Sequence, residues 1–307
     1  MIGRRYLWLG QRVVAPAGVV AEAVRAVRTR VRIASFQQRA RIVRRFPGPP
    51  HEQPRPRVVA VVTHVADPSR PREASVERLE QTMDGLLQSL GHTEIELVLN
   101  TLPGRHVADD LPEHLRSRLA VRERLGVEPI FLGFEAQQEF VERVGDADWF
   151  LYLEDDLVLT DSLLLEKLDY FNAGAPEGLV LLPHRFELWK GRKFYIDFLS
   201  KAKTSQEWNR LTQLDVGGWT FAEFENPHSG CYCLSQQQLR RWIETGRHWY
   251  GLSSYTGPRE SAATGCLAES FRLYKPLQMT FLEIRHLGAK YARLYSEIHD
   301  LDEVRSG

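Results

Sequence analysis

The run Trp149-Phe150-Leu151-Tyr152-Leu153-Glu154-Asp155-Asp156 carries the densest chemistry in this sequence. An apolar stretch ends abruptly in three adjacent carboxyl groups. Adjacent carboxylates repel one another, so the arrangement is costly unless a cation offsets the charge. Hard divalent ions prefer carboxylate oxygen and keep coordination positions open for substrate phosphates. A cation held there would neutralise charge on a leaving diphosphate. The competing reading is a solvated acidic loop that caps the following helix.

An apolar strand ending this way resembles the DxD segment of the GT-A glycosyltransferases, here in the form Glu154-Asp155-Asp156. The resemblance implies Asp156 as a ligand of Mn2+ or Mg2+. It implies Glu154 and Asp155 as contacts to the nucleotide ribose or to metal-bound water. Further on, His228-Ser229-Gly230-Cys231-Tyr232-Cys233-Leu234-Ser235 resembles the glycine-containing loop and strand that the family places beside the donor sugar. Gly230 allows close backbone approach or a positive φ.

Pro258 suits a first helical position and puts Glu260 in the first turn. By resemblance Glu260 is the acid of the family's xED motif, the base that deprotonates the acceptor hydroxyl in inverting members. Ser261 stands where the family most often has Asp, which leaves inversion open, and Glu269 is a second candidate on the same helix. A carboxylate in a first turn is also favoured simply by the helix dipole. His286 follows the apolar segment Met279–Ile284 and matches the family's C-terminal histidine, a second metal ligand. Imidazole with carboxylate suits manganese better than calcium; otherwise such a histidine is an ordinary surface group. After the first strand, where the family contacts base and ribose, Asp67 is the candidate, although Asp67-Pro68 is also an ordinary turn. The resemblance runs from about Arg57 to about Gly288.

Alternating elements must position these groups. Arg57–Thr63 is a β-branched run, as in a strand covered on both faces. Val76, Leu79, Met83, Leu86 and Leu90 mark one helix face. Ile95–Leu99, Pro129–Leu132, Trp149–Leu153 and Leu179–Leu182 read as further strands, with a short helix around Phe140 and Val144. Asp161 reads as an N-cap for a helix that turns Leu164, Leu168 and Phe171 inward. Ser235 and Gln238 form a capping box, and Gly246 a helix stop. Met279–Ile284 reads as a late strand. This rhythm predicts an α/β domain with an open, mostly parallel sheet, whose ligands bind beyond the strand carboxyl ends; the family it resembles shares that GT-A architecture. Phe186–Glu225 is irregular. Its Trp189, Trp208, Trp219, Phe221 and Phe224 fit an acceptor pocket or a core equally well, and Glu223, Glu225 and His228 are candidates to bind acceptor hydroxyls.

The net charge is zero only as a sum. Residues 1–46 hold eleven arginines and one acid, Glu22, so the remainder is correspondingly acidic. Pro47, Pro49, Pro50, Pro54 and Pro56 break the chain after this leader, dividing it into 1–56 and a catalytic domain, 57–307. The leader reads as a basic amphipathic helix that binds an anionic membrane surface or packs on its own acidic domain. No nucleic-acid module accompanies it, and no nucleic acid is expected as a partner. Three cysteines, Cys231, Cys233 and Cys266, are too few and too closely spaced for a disulfide framework, which fits a reducing compartment. No run of about 20 apolar residues spans a bilayer. The expected location is cytoplasmic, with peripheral attachment to the inner face of a membrane as a variant.

The leading expectation is sugar transfer from a nucleotide-diphosphate donor, with UDP-sugar the first choice, to a glycan or lipid-linked acceptor. A sugar-phosphate nucleotidyltransferase is the second reading, although its glycine-rich, lysine-bearing phosphate loop is absent between Thr63 and Arg72. A non-catalytic, membrane-attached nucleotide-binding scaffold is the third.

Overall fold

The structure, a computed structural model, describes residues 55–198, 211–224, 227–246, 257–294 and 296. The chain divides into two units, Met1–Gln53 and Pro54–Gly307. The basic leader lies outside the described residues, as do Trp208, Glu225 and Tyr255.

In chain order the strands are β1 (Arg57–Thr63), β2 (Glu94–Thr101), β3 (Leu119–Glu123), β4 (Trp149–Glu154), β5 (Leu157–Leu159), β6 (Leu179–Leu181) and β7 (His184–Trp189). They continue as β8 (Arg192–Tyr195), β9 (Gln213–Val216), β10 (Trp219–Ala222), β11 (Cys231–Ser235), β12 (Arg272–Pro276) and β13 (Glu283–His286). Helices α1 (Arg72–Ser89), α2 (Glu113–Arg116), α3 (Glu135–Glu142), α4 (Leu164–Gly174) and α5 (Gln236–Glu244) connect or flank them.

The central sheet has the order β11-β4-β1-β2-β3. Strands β1 to β4 pair in parallel, and β11 closes one edge antiparallel to β4. Both faces are covered, and the alternation along β1 shows it. Val58, Ala60 and Val62 pack into one apolar cluster with Leu79, Met83 and Leu86 of α1. Val59 and Val61 join another with Phe140 of α3 and Trp242 of α5. Two four-stranded sheets, β6-β12-β10-β9 and β5-β13-β7-β8, complete the domain. The fold is α/β with a parallel-rich sheet flanked by helices.

Several local expectations change. Pro129–Phe134 forms a 3-10 turn into α3, because Pro129 supplies a fixed φ and no N–H for a ladder. The third parallel strand is Leu119–Glu123, an edge strand exposed along most of its length, so it carries no apolar signature. Leu179–Leu181 is a strand, but it pairs with β12 outside the central sheet. Met279–Phe281 is a 3-10 turn, and the late strand begins only at Glu283. The helix after Asp161 starts at Leu164; the Asp161 carboxylate accepts from the Leu163 N–H at 3.0 Å and so holds the preceding turn. Phe186–Glu225 contains strands β7 to β10.

The capping box at Ser235 and Gln238 is formed in both directions, and Gly246 has φ +66°. The small residues Ala262, Ala263 and Cys266 are fully buried, in a helical stretch that passes through a π turn at Ser261–Gly265. The three cysteines are free and buried, and burial pushes each thiol well up.

Candidate functional site

Parallel register brings the acids to the sheet edge. Thr63 of β1 stands opposite both Glu154 of β4 and Asn100 of β2, so the residues following β1 and β4 emerge side by side. Asp155 and Asp156 form the turn between β4 and β5. Three separate elements hold its backbone. The Glu154 N–H donates to the Gly230 carbonyl at 3.0 Å, and the Leu287 N–H donates to the Asp156 carbonyl at 2.6 Å. The Thr82 hydroxyl of α1 donates to the Asp155 carbonyl at 2.9 Å.

The three side chains have different surroundings. Asp155 is tied to His64 Nδ1 at 2.5 Å and to Arg78 Nη2 at 3.2 Å. With both partners drawn from the protein itself, Asp155 anchors the turn in this arrangement. Asp156 meets His286 Nε2 at 3.4 Å, while His286 Nδ1 donates to Glu187 Oε1 at 2.8 Å. Glu187 is fully buried and accepts the Ala292 N–H on its other oxygen at 2.7 Å. Burial works against the charge on Asp156, but the bond and charge of His286, with Arg78 and Arg185, outweigh it and keep the carboxyl below its ordinary range. Burial likewise opposes charge on His286, and Asp156 and Glu187 outweigh it, pushing the imidazole up to about 9. Glu154 moves the other way: burial first, then the charge of Asp156, holds it well above the usual carboxylate range.

Sheet register makes this meeting. Strand β13 pairs with β5 so that His286 stands opposite Leu157, the residue after Asp156. Strand β7 lies on the other side of β13 and supplies Glu187. His286 and Asp156 are thus neighbours in space although far apart in sequence.

These acids open onto a cleft of about 600 Å³. Asp67, Glu154, Asp155 and Asp156 line it together with Arg70, Arg78, Arg105 and Arg259. Pro129, Ile130 and Tyr152 add an apolar surface. Asp67 is exposed, and its carboxylate accepts from the Ser69 hydroxyl and N–H; those bonds, with Arg70 nearby, hold it below the usual carboxylate range despite a small opposing desolvation. Glu260 is not in the cleft lining, although its neighbour Arg259 is. Gly230 lies behind the acids: a Cβ there would stand 2.5 Å from Glu154 Oε2 and 2.9 Å from Leu157 Cδ1. Among the expected acceptor aromatics, Phe221 is fully buried and packs on Phe171 and Phe281, and Trp219 lies tilted against Phe281. Those two serve the core.

Several contributors escape a reading of the sequence. Glu187, Arg78 and Arg185 sit in a strand or helix with no local motif, and only the packing of distant elements reveals them. His64 has one signal, its place directly after β1.

Gly230 has φ +62°, where any side chain is strained. Gly230→Ala is expected to cost roughly 1–2 kcal/mol from the backbone alone, with a further cost for displacing Glu154. Urea unfolding measures it; an unchanged midpoint would show that the loop relaxes freely.

The donor chemistry fits a divalent cation in one respect. Asp156 Oδ1 is buried and has no hydrogen-bond partner among the described residues. With His286 Nε2 it provides one carboxylate oxygen and one imidazole nitrogen, and the Glu187 bond to Nδ1 is the usual way of aiming such a ligand. No cluster of three or more His, Cys, Asp or Glu suited to a metal ion occurs among the described residues. A two-donor site leaves the remaining positions to water and substrate phosphate, which suits manganese or magnesium.

No protein-family model matches the chain, and no curated protein matches it. Among solved structures it is similar to a mannose-1-phosphate geranyltransferase from Thermus thermophilus, with 14% identity and a TM-score of 0.40, over 72% of this chain and 73% of that one. It is also similar to S. aureus TarS residues 1–349, with 8% identity and a TM-score of 0.45, over 78% of this chain and 63% of that one. Likenesses this distant carry no argument about chemistry, which rests on the cleft itself.

Proposed function

We propose that this chain is a metal-dependent glycosyltransferase of GT-A type that takes a nucleotide-diphosphate sugar, a UDP-sugar being the first choice. The observation that carries the reading is Asp156, which lines a cleft rimmed by four arginines at the carboxyl edge of a parallel sheet and is backed from outside that lining by His286 and Glu187. A dianionic diphosphate is the ligand such a rim suits, because guanidinium groups bind phosphate oxygens in paired hydrogen bonds. When bound, Mn2+ or Mg2+ supplies charge neutralisation for the departing diphosphate. Asp156 and His286 would hold the cation, and His286 must release its Nε2 proton to do so. The apolar surface of Pro129, Ile130 and Tyr152 offers a seat for the base, and Asp67 a partner for the nucleoside.

Burial and the charge of Asp156 push the Glu154 carboxyl up, and in this reading Glu154 contacts the ribose or metal-bound water. Asp155 fixes the turn through His64 and Arg78, and as part of the cleft lining it remains a proposed contact to the ribose or to metal-bound water. Glu260 remains the proposed base, on the helix whose Arg259 reaches the cleft, and it acts if the reaction inverts. The acceptor is a glycan or lipid-linked glycan. The leader, 1–46, would place the enzyme against an anionic membrane face on the cytoplasmic side. No described helix is long and apolar enough to cross a membrane.

The test is a panel of nucleotide sugars scored by thermal stabilisation with and without manganese. A donor at about 100 times its Kd should stabilise the fold by about 2.7 kcal/mol. Nucleotide diphosphate released in the presence of acceptor supports transfer, whereas pyrophosphate release favours the nucleotidyltransferase reading. Manganese-dependent binding without turnover across a broad acceptor panel would leave a scaffold. No manganese-dependent stabilisation by any donor would remove the proposal.

A further inference from the structure

Beside the cleft lies a second recess of about 330 Å³, on the flank of α1. It is lined by Arg70, Ser75, Glu77, Arg78, Gln81 and Arg285, with the backbone around Leu287 and Gly288. Arg70 and Arg78 are shared with the first cleft.

Arg285 reaches this recess because of strand geometry. Along β13 successive side chains point to opposite faces, so Arg285 points away from the His286 side, toward a different neighbour. Its cross-strand partner is Val158 of β5, which shares its face. Val158 packs against α1, since its Cγ1 would stand 2.7 Å from a Cβ at Gly85. Arg285 therefore faces α1 and meets the side chains on that helix.

Two guanidinium nitrogens are unsatisfied there. Arg285 Nε and Arg78 Nε are both out of solvent, and neither has a hydrogen-bond partner among the described residues. Arg78 spends its Nη2 on Asp155, and Arg285 forms no ion pair with any described residue. Glu77 is the one acid in the lining, and Gln81 donates to it at 3.3 Å. Arg70 is paired with exposed Asp67 at 3.3 Å. Buried polar groups in folded proteins almost always find a partner in the protein, in ordered water or in a ligand, and a recess beside two guanidinium groups admits the last two.

We infer that this recess is an oxyanion subsite that takes the phosphate group of a second ligand, seated next to the first cleft. Two neighbouring guanidinium groups, one of them tied to Asp155, with a serine hydroxyl and a glutamine amide suit a tetrahedral phosphate oxygen set. The inference concerns ligand chemistry alone and stands whether or not the first cleft takes a nucleotide sugar. If it does, the phosphate belongs to the acceptor.

The test uses the full chain and three titrations at matched ionic strength: inorganic phosphate, glycerol 1-phosphate and sodium chloride. Both phosphates are expected to raise the melting temperature well beyond chloride. A stronger effect of glycerol 1-phosphate would point to a phosphate carried on a larger molecule, an equal effect to free phosphate. Arg285→Met should weaken phosphate binding by roughly tenfold, the scale of one charged hydrogen bond. Arg105→Met, altered only in the first cleft, separates the two sites: phosphate binding that falls with Arg105→Met and persists with Arg285→Met belongs to the first cleft and overturns the inference. Should Arg285→Met fold poorly, Arg285→Lys keeps the charge and removes Nε, and is expected to bind phosphate several-fold less tightly than wild type. Phosphate no better than chloride, or full phosphate affinity in the Arg285 variants, overturns the inference. Manganese-dependent UDP binding, measured on the same variants, reports separately on the first cleft.

Discussion

Asp156→Asn is expected to lower metal-dependent donor turnover by at least about 100-fold, more than is typical for loss of a group that merely supports a ligand. The substitution is nearly isosteric and leaves the backbone bond from Leu287 to the Asp156 carbonyl in place. It removes the charge that the proposed cation needs and the carboxylate oxygen that has no other partner among the described residues. A second readout guards against a trivial explanation. His286 owes its raised protonation to Asp156 and Glu187 acting against burial. In the Asn variant the His286 imidazole should titrate well below about 9, visible by NMR, with an unchanged circular dichroism spectrum. Undiminished turnover in a variant whose His286 has shifted would sink the metal-site reading while leaving the geometry intact.

Asp197→Asn should have the largest effect on stability, about 3–5 kcal/mol, because it breaks a buried ion cluster by removing one partner. Asp197 accepts from Lys275 Nζ at 2.7 Å, and from the Arg185 Nε at 2.8 Å and backbone N–H at 3.0 Å. The Lys275 side chain is 1% exposed, so loss of the carboxylate leaves its ammonium uncompensated in the interior. Burial pulls Lys275 down to about 8 even with Asp197 present. Replacing the lysine as well, in Asp197→Asn with Lys275→Met, should recover part of the loss, while Arg185, the carboxylate's other partner, keeps the remainder.

The pH dependence has a definite sign. Burial opposes charge on Asp197, but Lys275, Arg185 and His184 outweigh it and hold the carboxyl far below its ordinary range. Its contribution is therefore complete above the unfolded value, about 4, and is lost as pH falls below that toward the folded value. The stability gap between wild type and Asp197→Asn should shrink in acid as the carboxyl protonates, and also as pH rises toward about 8, because Lys275 without its carboxylate sheds its proton earlier in the variant. A gap that stays constant down to about pH 2 would mean that the carboxylate is not the group responsible. The cluster also matters to the cleft, because Arg185 adds positive charge near Glu154 and Asp156.

Much of the frame was legible in the chain. The β-branched run at Val58–Val62 is a strand covered on both faces because every residue of it is apolar. The acids at Glu154–Asp156 end a strand because Asp155 and Asp156 turn the chain before the next apolar run, Leu157–Leu159. Ser235 with Gln238, and Gly230 and Gly246 at positive φ, behave as their residue types require. Failures fall where local signal is weak or misleading. Leu119–Glu123 is mostly exposed and so lacks a pattern, while Pro129–Leu132 has the apolar content of a strand but begins with a residue unable to donate.

Local residue order was enough to set the central strands β1, β2 and β4 and most of the longer helices, and to stand three carboxyl groups where a strand ends. These follow from side-chain shape, capping and burial within a few residues. It took the assembled fold to bind Asp155 to His64 and Arg78, to bring Asp156 against a His286 backed by Glu187, and to turn Arg285 toward α1. Register is the cause: a pairing slipped by one residue would send each strand-borne side chain to the opposite face, and that choice is made jointly by strands far apart in the chain.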